Sequence, residues 1–207
     1  GYFDVVMYEG SGEAFPVVPH NLGVEPEMMW IKNRDYAHQW AVYHKDVSAE
    51  APHFEMVLND SAPLATSSTT YAPFAGIPTA TDMLLKDGFG SSKVGDNHIA
   101  YLFASVPGIS KVGSYTGNAG TLDIDCGFTN GARWVLIKKT AGTGNGVGDW
   151  YFTTDPSDLR LLCKMNSTVA QANYGSSYSI PEGFRVTAGG GGNLNDNDDT
   201  YIYMAIA

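Results

Sequence analysis

The feature that most constrains this chain is that it writes one pattern twice. "MWIKNRD" (29–35) and "WVLIKKTAG" (134–142) are both aromatic-apolar-lysine runs, and Ile31-Lys32 recurs as Ile137-Lys138, 106 positions later. Tyr8-x-Gly10 recurs as Tyr115-x-Gly117, Trp40 as Trp150, Asn59 as Asn166, and Gly88-Phe89 as Gly183-Phe184. "HIAYLFA" (98–104) matches "YIYMAIA" (201–207). Two copies cannot make a solenoid, which needs three or more repeats to bury a continuous core. They read as an internal duplication.

Within each copy the local signals are β. Short runs rich in Val, Ile, Tyr, Phe and Trp, such as "YFDVVMY", are broken by Gly, Asn, Asp, Ser and Pro clusters such as "EGSGE". No stretch of twelve residues holds a helical period. "SDLRLLCKM" (157–165) could cap one helical turn at Ser157, but it stands opposite "HFEMVL" in the repeat and reads better as a strand. The fold class is therefore all-β, an internally duplicated β-sandwich. The favoured arrangement is two jelly-roll-like sandwiches packed together, residues 1–106 and 107–207, with a single intertwined sandwich as the alternative. The strands ending each copy are apolar on both faces, the mark of a strand covered on both sides. Lys32 and Lys138 are expected to snorkel to water from the exits of the repeated core strands, which hold Trp30 and Trp134.

Composition narrows the partners. A net charge of −10, with 12 Lys+Arg against 22 Asp+Glu, opposes binding to nucleic acid or to an anionic membrane. No apolar run reaches the roughly 18 residues of a membrane span. Gly1 in place of Met, and an end at Ala207 inside an apolar strand, suggest a piece of a longer polypeptide. Cys126 and Cys163, without CxxC spacing, read as two thiols rather than a disulfide.

Catalytic signals are weak. All five histidines, His20, His38, His44, His53 and His98, fall in the first copy, where a function older than the duplication would have left traces in both. No G-x-S-x-G elbow accompanies them. "AGTGNGVGD" (141–149) and "AGGGGNLND" (188–196) lack phosphate-loop endings and read as turns. Asp46 and Asp155 are matched acids, which suits a turn role in each copy better than an acid–nucleophile pair. The chain is read as no enzyme. For metal, "NLNDNDDTY" (193–201) offers Asp196, Asp198 and Asp199 as hard oxygen ligands for calcium, the one candidate ion; the competing reading is a polar hairpin rim. Trp40 and Trp150 lie nearer loops than the other tryptophans and are the better candidates for stacking on a sugar or receptor, although a core place is the stronger expectation for both.

Together, "GYFDVVMYEGSG", "HNLGVEPEMMWIKNRD", "AYLFASVPGISKVGSYTGNAG" and "IDCGFTNGARWVLIKK" resemble a duplicated β domain of large bacteriophage virion and tail-fibre proteins, especially marine ones, over nearly the whole chain. The "HNLGVEP" element (20–26) resembles a turn common in tail-fibre modules. The resemblance implies a non-enzymatic virion component on the phage tail or particle surface, with a host-cell receptor or glycan and other virion proteins as partners. It also implies homo-oligomers, a trimer among them, and brings no catalytic residues. The Pro-, Ser- and Thr-rich stretch 61–87 reads as an inserted recognition loop, with Tyr71 and Phe74 as its receptor-binding candidates and 167–182 as its counterpart. A carbohydrate-binding, lectin-like module is the alternative, and a glycan-degrading enzyme stands third.

Overall fold

In the computed structural model, residues 1–47, 54–59, 65–66, 73–88, 90–141, 149–153, 161–168, 170–173, 177–189 and 191–207 are described. All their regular elements are strands. They fall into two compact units, one ending at Ala104 and the other running from Ser105 to Ala207.

The first unit contains β1 (Phe3–Glu9), β2 (Val17–Pro19), β3 (Met28–Asn33), β4 (Ala41–His44), β5 (Phe54–Val57), β6 (Ala65–Thr66), β7 (Asp82–Leu84) and β8 (Asn97–Phe103). Its large antiparallel sheet has the order β1-β8-β3-β4-β5-β6, and β2 pairs with β7 as a small second layer. The second unit contains β9 (Ser110–Thr116), β10 (Thr121–Asp125), β11 (Trp134–Ala141), β12 (Trp150–Thr153), β13 (Leu161–Lys164), β14 (Ala172–Asn173), β15 (Ser177–Ile180), β16 (Gly183–Thr187) and β17 (Thr200–Ile206). Read from the β9 edge, its large sheet runs β9-β17-β11-β12-β13-β14, the same order of strands, over a β10-β16-β15 layer. In the first unit β3 to β6 run as a meander within one sheet, so jelly-roll nesting is confined to β1 with β8 and β2 with β7.

Each unit has its own core between its two layers. Met29, Ile31, Tyr43, Ala100 and Leu102 of the large sheet meet Val18, Met83 and Leu85 in the first. Val135, Ile137, Tyr151, Tyr201 and Tyr203 meet Ile124, Phe184 and Val186 in the second. These are separate sandwiches rather than one intertwined sandwich. The expectation of cover on both faces holds for β17, where Tyr201 to Ala205 are buried, but not for β8, which alternates: His98, Ala100 and Leu102 are buried while Ile99, Tyr101 and Phe103 on the other face are half-buried.

The repeated residues occupy equivalent places. Tyr8 lies opposite His98 with rings stacked 5.3 Å apart, and Tyr115 lies opposite Tyr201 with rings 4.8 Å apart. Tyr8 donates its hydroxyl to Ser91 O, and Tyr115 donates to Leu194 O. Asn59 Oδ1 accepts the Trp40 amide at 2.9 Å, and Asn166 Oδ1 accepts the Trp150 amide at 3.0 Å. The matched asparagines thus hold the starts of β4 and β12. One match shifts. Pro19 faces Asp82 as Asp125 faces Gly183, so Phe184 corresponds to Met83 rather than to Phe89. This register draws 73–87 out of the expected recognition loop. Met83 and Leu85 are wholly buried, and β7 completes the small layer.

Candidate functional surface

The structure separates the sequence candidates. Tyr71 lies outside the described residues, as does Asp155. Phe74 is 3% exposed, edge-on to Tyr43 at 5.6 Å in the first core. Burying a phenylalanine is worth about 1.5–3 kcal/mol, and that stabilisation decides its place. Trp150 is 1% exposed with the Lys138 ammonium 5.0 Å from its ring centre. Lys138 itself is buried, so it does not snorkel. Phe74 and Trp150 are core residues, which corrects both expectations. Of the described receptor candidates, Trp40 alone is half-buried rather than buried.

The acidic run is organised around a lysine. Asp196 accepts from Lys139 Nζ at 3.0 Å, and the buried Asp199 makes a still closer ion pair with the same ammonium. Burial works to depress the Lys139 pKa, but hydrogen bonds to Asp199 and Asp196 outweigh it and hold the value above the usual lysine range. Asp198 points outward at a turn with φ 59°, a backbone conformation that Asp tolerates. The carboxylates offered for calcium are thus two partners of one ammonium and one exposed turn residue. Among the described residues no three His, Cys, Asp or Glu side chains converge as a metal site. The first unit holds the same place with a neutral donor, Asn33 Nδ2 to Asp96 Oδ2 at 2.7 Å.

Of the histidines, His20, His44 and His98 are buried. The Asp46 carboxylate accepts from Lys45 at 3.1 Å. Cys126 and Cys163 are free thiols, and burial pushes the Cys126 pKa up to about 11, away from a nucleophilic thiolate. A cleft of about 380 Å³ beside Cys126 is lined by Ser105, Ser110, Lys111 and Asp125. The Ser105 and Ser110 hydroxyls already accept the amides of Val112 and Val106.

What stands out instead is the outer face of the first large sheet. Along β1 the alternation places Asp4, Val6 and Tyr8 inward and Phe3, Val5 and Met7 outward, 44%, 43% and 70% exposed. Register sets Phe3 beside Phe103, Val5 beside Tyr101 and Met7 beside Ile99, with Trp30 on the far side of Tyr101. The rings form a continuous row. Phe3 lies 5.3 Å from Phe103, Phe103 lies 4.7 Å from Trp30, and Tyr101 stacks with Trp40 at 6.1 Å. These separations are those of favourable aromatic pairs.

The fold does not require these rings. At the corresponding places the second unit has Ser110 for Phe3, Ser114 for Met7, Leu136 for Trp30, Met204 for Tyr101 and Ile206 for Phe103. A sandwich of the same strand order forms without them, so the aromatic row belongs to the first unit alone. Sequence reasoning missed it by matching what the copies share. The signal lay where they differ, Phe3 and Met7 against Ser110 and Ser114.

No curated protein and no solved structure matches the chain. One family model does, over residues 1–207, and it places the chain in the family described as Domain of unknown function (DUF7483).

Proposed function

We propose that the chain is a non-enzymatic β domain of a bacteriophage virion, in a tail fibre or other surface appendage, where it contributes to attachment to a host-cell receptor or to particle assembly. The observation that carries this reading is the aromatic row Phe3, Phe103, Trp30 and Tyr101, with Trp40 stacked on it, on one face of the sheet; the other unit keeps only the tryptophan, as the buried Trp150, and has Ser110, Ile206, Leu136 and Met204 for the other four. Phe3 is exposed and the other four are half-buried; apolar surface left in contact with water marks interaction sites, and Trp and Tyr are enriched where binding energy concentrates. A strongly acidic chain recognises its partner more readily through such a face than through a basic one.

A lectin-like module is the second reading. The half-buried Trp40 packed on Tyr101 offers flat ring surface of the kind that stacks on sugars. One experiment separates the two. Binding of the labelled protein to intact candidate host cells is measured with and without calcium, beside the variants Tyr101→Ala and Phe3→Ser. The expected result is saturable binding weakened about tenfold or more by Tyr101→Ala, the loss of a central aromatic contact. Competition by free glycans would favour the lectin reading. Absence of saturable binding by the folded protein, on cells and on purified particles alike, overturns the proposal.

A further inference from the structure

β1 is the outermost strand of its sheet, and among the described residues no strand pairs with its outer edge. Tyr2 O accepts the Ala104 amide and the Gly10 amide donates to Asp96 O, so even-numbered residues of this stretch turn their backbone groups toward the neighbouring strand. Phe3, Val5, Met7 and Glu9 therefore turn theirs to the free edge. Val5 N–H donates to the Asp4 carboxylate at 2.9 Å, its one partner among the described residues. The same residues carry the most exposed apolar side chains of the strand. An edge with open ladder positions and apolar neighbours is a template for another strand.

The equivalent edge in the second unit is closed along its first half. There Ser105 Oγ accepts the Val112 amide at 2.9 Å, and residues 105–109 fold back so that Val106 and Ser110 pair. Strand addition is thus available at β1 and blocked along the first half of β9.

We propose that β1 pairs antiparallel with β1 of a second copy of this chain, continuing the large sheet of the first unit across a twofold axis. The sequence of β1 is compatible with itself in the register that overlaps its whole length, with Val6 on the axis. Val5 then faces Met7 of the second copy, Phe3 faces Glu9 and Asp4 faces Tyr8, so no carboxylate opposes another. An isologous contact of this kind closes as a dimer and cannot propagate. The two aromatic rows come to lie on one face of a continuous sheet. Asp4 is the gate: its Oδ1 occupies the Val5 amide that the incoming strand needs, while Oδ2 holds the Asn21 amide at 2.8 Å.

The test is sedimentation equilibrium of the whole chain across a concentration series, and it does not depend on receptor attachment. Wild type is compared with Met7→Pro, Met7→Lys and Asp4→Ala. Proline at Met7 removes an amide that points away from β8, so the native ladder keeps its bonds. Lysine keeps the strand and charges its edge. A dimer weakened at least tenfold by both Met7 variants, and tightened by Asp4→Ala, is the expected pattern. A monomer at every concentration, a trimer, or a dimer indifferent to Met7→Pro and Met7→Lys overturns the proposal.

Discussion

Lys139 shows how far one side chain can redirect a stretch of sequence. A run of asparagines and aspartates invites a calcium reading, yet a lysine 2% exposed gathers Asp196 and Asp199 into an ion pair inside the second unit. Removing it strands the Asp199 carboxylate in the interior. Lys139→Met is therefore expected to cost about 3–5 kcal/mol in urea denaturation at neutral pH. The pH dependence has a definite sign. Because the Lys139 pKa is raised on folding, its contribution is complete below the unfolded lysine value of about 10.4 and disappears as pH rises through the folded value. From neutral pH upward, the gap between wild type and Lys139→Met should close only in strongly alkaline solution. Both will also weaken above about pH 10, since unfolded tyrosine ionises there while burial holds Tyr201 up to about 12. A gap that closes near neutrality would refute this account.

Single elements explain why Tyr-x-Gly is written twice. The tyrosine hydroxyl holds the turn before the last strand, and the glycine lets that turn approach. A Cβ on Gly10 would sit 2.0 Å from Lys93 O, and one on Gly117 would sit 2.0 Å from Asp196 O. Both obstacles are backbone and cannot swing aside. Gly10→Ala and Gly117→Ala should each cost about 3 kcal/mol in chemical denaturation. Gly23→Ala, where φ is 78° but nothing lies within 4 Å of an added Cβ, should cost only about 1 kcal/mol. Equal costs at the three sites would show that backbone conformation rather than crowding makes glycine necessary. The repeat was legible as a pattern because the same local constraint recurs. Its cause was hidden, since the contacts span about eighty residues, from Tyr8 to Ser91 and from Tyr115 to Leu194.

At the scale of the whole molecule, the chain carries a net charge of −10, while its candidate binding face is aromatic. If that face makes the contact, affinity for cells should change less than about threefold between 50 and 500 mM salt, because apolar burial is not screened as charge is. A fall of tenfold or more would point to a charged site elsewhere. The sequence by itself determined the all-β class and the twice-written strand pattern, because alternation, turn residues and matched motifs are local properties that survive in any environment. It also matched Trp40 with Trp150 and set both near loops. Only the tertiary structure decided their fates, Trp40 half-exposed beside Tyr101 and Trp150 buried beneath Lys138. It alone moved Phe74 from an expected loop into a core, gave Asp196 and Asp199 to Lys139, and left the β1 edge open where the first half of the β9 edge is closed. Exposure and pairing depend on which distant strand or turn lies alongside, and that register is set by packing over the whole sandwich rather than by any short run of residues.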